Sequence, residues 1–515
     1  MTLESKNIKN QKLEELKNIF PEIFEDKSIN YEKLKIILED EVEESKSEHY
    51  SFEWSGKKEC YKTIKTKSNA TLKVDEDRAI EGGDNVFIEG DNLEVLKLLQ
   101  NAYHKKIKMI YIDPPYNKDK DFVYSDTWGD TITNYLIQTD QLRDEGYTTS
   151  KTNSTGRRHT NWLNMIYPRL WLSRNLLKDD GVIFVSIDDD EVANLRKVMD
   201  EIYGEENFVT TFIWEKRTTR ENRRVFSVNH DYVLCYAKYK DSFENIRNLL
   251  PLTAKVKERY KNPDDDRRVG TTDTAKKELI KIFDGNETLD TPKSIPLLKR
   301  LIQIATKNDD TVLDFFAGSG TTAHAVMEQN QEDNGNRKYI LVQLPEATEQ
   351  NSEAYKAGYK KISDITKERI KRVITKLDYK DGFKSYKLDN SNFQVFKELK
   401  KRPNDSFEDI MKMLKMSVFT ENILTQDAKH IDIVYEVGLK NGLSLSAKSE
   451  EIKTEKYSFI KLYEEQRVFM FCFDKEIQID IQESVLEGAK LICFDKALTD
   501  STKLNLRENI DLETL

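Results

Sequence analysis

The sequence Thr311-Val312-Leu313-Asp314-Phe315-Phe316-Ala317-Gly318-Ser319-Gly320-Thr321-Thr322 joins a short apolar strand, a glycine turn and the start of a helix. Glycines at 318 and 320 allow the chain to turn tightly and allow a ligand to lie against the backbone. No Gly-Lys-Thr or Gly-Lys-Ser follows, so this is not a Walker loop, and the GxGxxG dinucleotide spacing is not met. Taken alone, a purely structural strand-to-helix turn explains the pattern about equally well.

Strands and helices alternate on both sides of this turn. Strands are predicted at Val86–Glu89, Met109–Ile112, Val182–Ile187, Phe208–Trp214, Asp231–Ala237 and Tyr339–Leu344. Helices are predicted from Leu93 with Asn92 as N-cap, at Asn161–Leu177, Glu191–Tyr203 and Ile295–Thr306, and from Thr321. This alternation indicates an α/β fold built on a doubly wound, mostly parallel sheet.

The 515-residue chain divides into four predicted regions. Residues 1–50 are highly charged with apolar residues at helical spacing, and are expected to form helices for docking or dimerisation. Residues 51–238 and 291–378 form the predicted sheet domain, while residues 239–290 are polar and lose the alternating pattern, as loops do. Residues 379–515 are expected to form a C-terminal α/β module with strands at Ser458–Leu462, Val468–Phe473 and Leu491–Phe494.

The composition excludes several classes of protein. No run of about 18 apolar residues occurs, so no membrane span is expected. The first residues, MTLESKNIKN, lack the apolar core of a secretory signal. The four cysteines, Cys60, Cys235, Cys472 and Cys493, are scattered without a CxxC pair, which argues against a zinc site or a disulfide framework. These features predict a cytoplasmic protein.

Two short segments carry concentrated positive charge although the net charge is −10. Binding to nucleic acid depends on local basic patches that contact phosphates, not on net charge. The segment Glu215–Arg224 contributes Lys216, Arg217, Arg220, Arg223 and Arg224, and the segment Lys151–His159 contributes Arg157 and Arg158. Both flank the predicted strands, which favours contact with DNA, while solvated loops are the alternative interpretation.

A second motif, Asp113-Pro114-Pro115-Tyr116, directly follows the strand Met109–Ile112. Two prolines stiffen the loop, so the Asp113 carboxylate and a proline carbonyl would form two acceptors aimed at one point. Such acceptors hold the hydrogens of an exocyclic amino group and free its lone pair for attack. Tyr116 can stack on a base rotated out of the double helix. A rigid surface turn is the alternative explanation.

Together, Asp-Pro-Pro-Tyr and Phe-x-Gly-Ser-Gly resemble the motif pair of amino-methylating DNA methyltransferases. Their order, with the catalytic motif first, resembles the circularly permuted β class. The segments VFIEGDNLEVLKLL, YIDPPYNKDKDFVYSD and WLNMIYPRLWLSRNLLKDDGVIFVSIDD are similar to the modification (Mod) subunits of Type III restriction-modification systems. The resemblance covers most of the chain, and it implies an adenine-N6 DNA methyltransferase that uses S-adenosylmethionine.

This resemblance also assigns roles to individual residues. Asp113, Pro114, Pro115 and Tyr116 match the catalytic loop, where aspartate is typical of adenine methylation. The residues that match cofactor-binding positions are Asp91, Thr291, Lys293, Asp314, Phe316, Gly318, Ser319, Gly320, Gln343 and Glu346. Asp91 would face the cofactor's adenine, the segment 291–293 its methionine part, and Gln343 with Glu346 its ribose. An activated sulfonium methyl requires no metal, so no metal ligands are predicted.

The implied reaction is direct in-line transfer to an adenine flipped out of duplex DNA. The implied partners are a second copy of the chain and a separate ATP-dependent restriction (Res) subunit. Residues 239–290, and secondly residues 117–160, are the expected target-recognition regions. Three other functions remain open: a solitary or Type II-like methyltransferase, an RNA N6-adenine methyltransferase, and a catalytically inactive DNA-binding assembly subunit.

Overall fold

The computed structural model describes residues 52–75, 83–118, 155–217, 228–246, 270–289, 292–393 and 428–515, with a few short stretches elsewhere. The helices predicted for residues 1–50 lie almost entirely outside the described part. So do most of residues 117–154 and the middle of the predicted recognition region.

A nine-stranded sheet forms the centre of the described structure. Its strands are β1 (Ala70–Val74), β2 (Asn85–Glu89), β3 (Ile107–Ile112), β4 (Leu177–Ile187), β5 (Phe208–Glu215), β6 (His230–Ala237), β7 (Thr311–Asp314), β8 (Lys338–Gln343) and β9 (Phe383–Asn390). Across the sheet the order is β1-β9-β2-β8-β7-β3-β4-β6-β5. The strands from β9 to β4 run parallel, whereas β1 at one edge and β6 with β5 at the other are antiparallel to their neighbours.

Helices cover both faces of this sheet, which explains why its central strands are apolar along their whole length. The helices of the main domain are α1 (Lys57–Lys65), α2 (Asn92–Ala102), α3 (Thr155–Leu176), α4 (Val192–Tyr203), α5 (Lys240–Ile246), α6 (Thr272–Ile282), α7 (Ile295–Ala305), α8 (Thr321–Asp333), α9 (Glu353–Lys356) and α10 (Ile362–Leu377). One apolar cluster lies under α1–α4 and a second lies under α5–α8 and α10. The predicted doubly wound, mostly parallel α/β fold is confirmed.

The C-terminal module contains a five-stranded sheet in the order β10-β11-β12-β13-β14. Its elements are helix α11 (His430–Lys440), strands β10 (Lys448–Lys453), β11 (Ser458–Glu464), β12 (Arg467–Cys472), β13 (Lys490–Cys493) and β14 (Asp511–Thr514), and helix α12 (Asp500–Asn509). The three predicted strands of this module are therefore confirmed. Helix α11 packs against β1 and α2, so the module shares an apolar core with the main domain.

Three predicted boundaries are wrong. The domain boundary predicted after residue 378 falls too early, because β9 pairs in parallel with β2 inside the main sheet. The N-cap of α2 is Asp91, not Asn92, since the Asp91 carboxylate accepts from the backbone N–H groups of Leu93 and Glu94. Helix α3 begins at Thr155, six residues before the predicted start. Short-range patterns do not reveal such long-range pairing or capping geometry.

Residues 239–290 are not simply loops, as their composition had suggested. Both α5 and α6 fall in this range, and the buried side chains of Phe243, Leu279 and Ile282 join the core of the sheet domain. Helix α6 begins at a capping box formed by Thr271 and Thr274. The segment between these helices, residues 247–269, lies outside the described residues. Among the helices that the structure describes, none is long and apolar enough to cross a membrane.

Candidate active site

The two sequence motifs meet at one edge of the sheet. Strands β3 and β7 are parallel neighbours, so the Asp113 loop and the glycine turn both follow their carboxyl ends. They line a cavity of about 420 Å³, which is within the usual range for small-molecule sites. The lining residues are Asp113, Pro114, Pro115, Tyr116, Lys118, Lys216, Arg217, Asp231, Thr272, Leu289, Lys293, Phe316, Gly318, Gln343, Glu346 and Ile362.

The loop after β3 is held from both sides. The indole N–H of buried Trp162 donates to the Pro115 carbonyl over 2.7 Å. Asn117, in the left-handed region with φ 61°, donates its amide to Glu191 over 2.5 Å. These two hydrogen bonds fix the loop that carries Asp113 and Pro114, and they engage the Pro115 carbonyl.

Lys293 lies directly on this loop. Its ammonium is 3.1 Å from Asp113 Oδ1 and donates to the Tyr116 hydroxyl over 2.6 Å. It also lies over the Tyr116 ring, 4.8 Å from the centroid. Burial raises the pKa of Asp113, while the Lys293 charge acts in the opposite direction. The resemblance predicts that Lys293 binds the cofactor, and in this structure Lys293 lines the cavity and contacts the loop after β3.

Asp231 and Lys216 complete the floor of the cavity. Asp231, at the start of β6, is only 3% exposed. Its carboxylate accepts from Lys216 over 2.7 Å and lies 3.7 Å from Lys293 Nζ. Asp231 was not among the predicted site residues. Polar side chains at the ligand sites of parallel sheets usually follow their strands, and Asp231 does not. Strand β6 runs antiparallel, so its beginning, not its end, lies at the edge that holds the site.

The glycine turn has the conformation that its sequence requires. Gly318 and Gly320 have φ values of 52° and 79°. A Cβ at Gly320 would approach Thr366 Cγ2 to 3.1 Å, whereas a Cβ at Gly318 would extend into open space. The Gly318 N–H donates to the Gln343 side chain over 2.7 Å. Gly318 therefore leaves room for a ligand at this point of the cavity wall, because it has no side chain.

A buried arginine from α10 supports this turn from behind. Arg369 donates to the hydroxyls of Ser319 and Thr321, each over 2.8 Å. Thr366, from the same helix, donates to the Gly318 carbonyl over 2.5 Å. The Ser319 hydroxyl therefore helps to hold the turn in place, and Ser319 does not line the cavity.

Two predicted acidic residues are engaged in local structure. Asp314 accepts from the Thr322 hydroxyl and the Phe316 N–H, and burial raises its pKa to about 7. Asp91 caps α2 and forms a 3.2 Å ion pair with Arg169. Neither residue lines the cavity, so in this conformation both support the elements around the site without contacting its interior.

Glu346 and Phe316, two of the predicted cofactor-binding residues, line the cavity. Glu346 is half-buried, and burial raises the pKa of its carboxyl group. Hydroxyl donors of a ribose would satisfy that carboxylate. Glu346 and Gly318 therefore present a carboxylate and a wall without a side chain to the same cavity.

The structure places only part of the predicted DNA-binding set. Lys216 and Arg217 line the cavity, but Lys216 is paired with Asp231 instead of facing outward. Arg158 lies 3.9 Å from Asp190. The side chain of Arg157 and the whole of Arg220, Arg223 and Arg224 lie outside the described residues, as does Thr291. Among the described residues, no group of three or more potential ligands could hold a metal ion.

Comparison with known proteins gives concordant matches. The DNA methylase family matches residues 107–353. The StyLTI Mod subunit of Salmonella typhimurium, a Type III restriction-modification enzyme, is 35% identical over 63% of this chain and 62% of that subunit. The EcoPI Mod subunit of Escherichia phage P1, also Type III, is 31% identical over 76% of this chain and 80% of its own length. The Type II methyltransferase M.KpnI of Klebsiella pneumoniae is 27% identical over 62% of this chain and 94% of its own length.

Proposed function

Since the chain belongs to the family of Type III restriction-modification Mod subunits, we propose that it methylates the N6 amino group of adenine in duplex DNA with S-adenosylmethionine as methyl donor. The observation that carries this proposal is the meeting of the Asp113-Pro114 acceptors and the bare Gly318 turn in one cavity. An aspartate in the catalytic loop supports adenine over cytosine.

The cofactor would lie along the glycine turn, with Gln343 and Glu346 beside its ribose and Phe316 beside its adenosine. When bound, S-adenosylmethionine supplies a methyl group already activated on a sulfonium. The chain's own contribution is alignment and a preorganised set of charges. Arg369 and Thr366 keep the turn in place before any ligand arrives.

Asp113 and the Pro114 carbonyl would each accept a hydrogen bond from the target amino group. An aromatic amine is a poor nucleophile because its lone pair is delocalised into the ring. Two acceptors favour a tetrahedral nitrogen, and Asp113 is the nearest group to receive the proton that the nitrogen loses. Tyr116, half-buried at the cavity wall, would stack on the flipped base.

A direct test is to incubate the purified protein with duplex DNA and S-adenosylmethionine carrying a labelled methyl group, and then to digest the DNA to nucleosides. We expect the label in N6-methyladenine. Label in N4-methylcytosine would reject the adenine assignment while leaving the methyltransferase assignment in place. Label only when RNA replaces DNA would favour the alternative of an RNA methyltransferase.

Activity should depend on the ionisation of Asp113. Because burial raises its pKa, methyl transfer is expected to fall as the pH drops through that raised value. Lys293→Met removes the charge that opposes burial, so the acid limb of kcat should move to higher pH. Lys307→Met, an exposed lysine at the opposite edge of the sheet, is the matched control. An acid limb identical in both variants and the parent would refute this role of Lys293.

Sequence specificity is assigned to the segment between α5 and α6. Replacing residues 247–269 with those of a relative, while keeping both helices, should change the methylated sequence without loss of activity. The helices must stay because Phe243 and Leu279 are core residues. An active chimaera that methylates the original sequence would reject the assignment.

We further propose a cytoplasmic homodimer that associates with a separate Res subunit. Support comes from the family, whose members include the two named Type III Mod subunits. Sedimentation of the purified protein at the mass of one chain would reject the homodimer. The similarity to M.KpnI keeps a Type II-like enzyme as the second function. The intact catalytic loop and glycine turn argue against an inactive assembly subunit.

A further inference from the structure

Four charged side chains of alternating sign cross the floor of the cavity: Lys216, Asp231, Lys293 and Asp113. Lys216 Nζ lies 2.7 Å from Asp231 Oδ1. Lys293 Nζ lies 3.7 Å from Asp231 Oδ2 and 3.1 Å from Asp113 Oδ1. The array therefore has two positive and two negative groups in contact with one another.

From this array we propose that Asp231 is a positioning residue for methyl transfer. It anchors Lys293 on Asp113 and Tyr116, and it offsets the charge of Lys216. The inference rests on the proposed function, because it concerns the same acceptor carboxylate. Asp231 need not touch the substrate to act in this way.

These contacts are energetically important because the side chains that make them are largely buried. The side chains of Asp231, Lys293 and Lys216 are only 4%, 11% and 17% exposed. Charges held out of water must be paired, and removing one partner leaves the other with a strong demand for a new one. Without Asp231, Lys293 keeps only Asp113 as a carboxylate partner in this array, whereas Lys216 also lines a neighbouring cavity with Asp188, Asp189 and Asp190.

The orientation of β6 makes this arrangement specific. Asp231 lies near the start of β6, and the strand residues that follow it pair antiparallel with β4. This pairing anchors the carboxylate to the rigid sheet. Lys216 follows the paired strand β5, and its backbone N–H donates to the Asn229 carbonyl over 2.8 Å. Two adjacent strand ends thus fix the acid and its first lysine, while Lys293 reaches them from the segment before α7.

Replacing Asp231 with asparagine keeps the shape and removes one negative charge. Lys293 would then rely on Asp113 as its carboxylate partner, and the positive charge of Lys216 would no longer be offset by Asp231. Both changes make the Asp113 oxygens less available to the target amine. We expect kcat to fall roughly tenfold or more, with the affinity for S-adenosylmethionine changed less than about twofold. Asp309→Asn, at an exposed turn on the opposite edge of the sheet, should leave both quantities unchanged.

A second variant separates charge balance from folding. Adding Lys216→Gln to Asp231→Asn restores one lysine for one carboxylate. The double variant should therefore recover several-fold in kcat over Asp231→Asn alone, although two buried groups have been altered. A purely structural role predicts that the double variant is no better than the single one.

These outcomes also separate this inference from the proposed function. If the parent protein methylates no DNA, the proposed function fails first. If the parent is active and either Asp231→Asn retains the full kcat or the double variant is no more active than Asp231→Asn, only the positioning role is overturned. Should Asp231→Asn melt below the assay temperature, both variants are assayed at a lower temperature at which they are folded, and the same comparison decides.

Discussion

Asp113→Ala is expected to lower the rate of methyl transfer to DNA by roughly 10³-fold or more, a loss of about 4 kcal/mol of transition-state stabilisation. The carboxylate is one of two acceptors for the target amino group and the nearest acceptor for its proton. Cofactor binding should be retained, because in the described structure Asp113 makes no hydrogen bond to the Gly318 turn or to Gln343. Single-turnover rates and cofactor titrations measure the two quantities separately.

Asp113→Asn serves as the companion variant, because Asp113→Ala also removes the oxygen that lies 3.1 Å from the Lys293 ammonium. Asparagine keeps the side-chain volume and one acceptor oxygen. Its amide group, however, places a hydrogen-bond donor where the target amine must itself donate. We expect a loss of similar size. Asp309→Ala, in the exposed turn before β7, is the control for general effects of losing an aspartate. Near-parental rates in both Asp113 variants would refute the catalytic role of this loop.

Gly318→Val should abolish cofactor binding, with an expected loss of at least about 100-fold in affinity, or about 2.7 kcal/mol. A side chain here would extend into the cavity at the place where the backbone must be bare. Valine also disfavours the left-handed region that Gly318 occupies at φ 52°. Equilibrium binding of S-adenosylmethionine, measured by calorimetry, tests this directly.

Gly358 provides a matched control for backbone strain. It has φ 95°, and a Cβ there would meet nothing within 4 Å, so valine imposes strain without entering the cavity. Gly358→Val should lower thermal stability modestly and leave cofactor affinity intact. Equal loss of affinity in the two variants would mean that strain, not access to the backbone, explains the effect at Gly318.

The parallel core could be predicted from sequence because burial on both faces produces continuous apolar runs. Strands β3 and β8 are apolar and buried along nearly all their length, and turn residues limit them. The sequence did not predict that strand β9 belongs to this sheet. It reads FKSYKLDN, with polar residues throughout, because it lies near the edge and pairs with β1 instead of filling the centre.

The catalytic half of the site was easier to predict than its electrostatic setting. The Asp113 loop and Gly318 carry local signals, namely prolines after a strand and glycines before a helix. Asp231 carries no such signal, since its position depends on the antiparallel direction of β6. The contact of Lys293 with Asp113 joins residues 180 positions apart, which no local pattern encodes.

Asp314 and Asp91 illustrate a different limit. An acidic residue at a strand end suits a cationic ligand, but it equally suits the unpaired N–H groups at the start of a helix. In this structure Asp91 binds the first N–H groups of α2, and Asp314 binds Thr322 at the start of α8. Sequence alone could not separate these uses.

The most direct test of the central claim is to express the protein in cells that lack adenine methylation and to sequence their DNA by a modification-sensitive method. The Asp113→Ala variant should be expressed at the same level in parallel. We predict N6-methyladenine at one short sequence motif, absent in the variant. An asymmetric motif methylated on one strand would further support the Type III assignment. Unmodified adenine throughout the DNA of cells that contain folded parent protein would contradict the account.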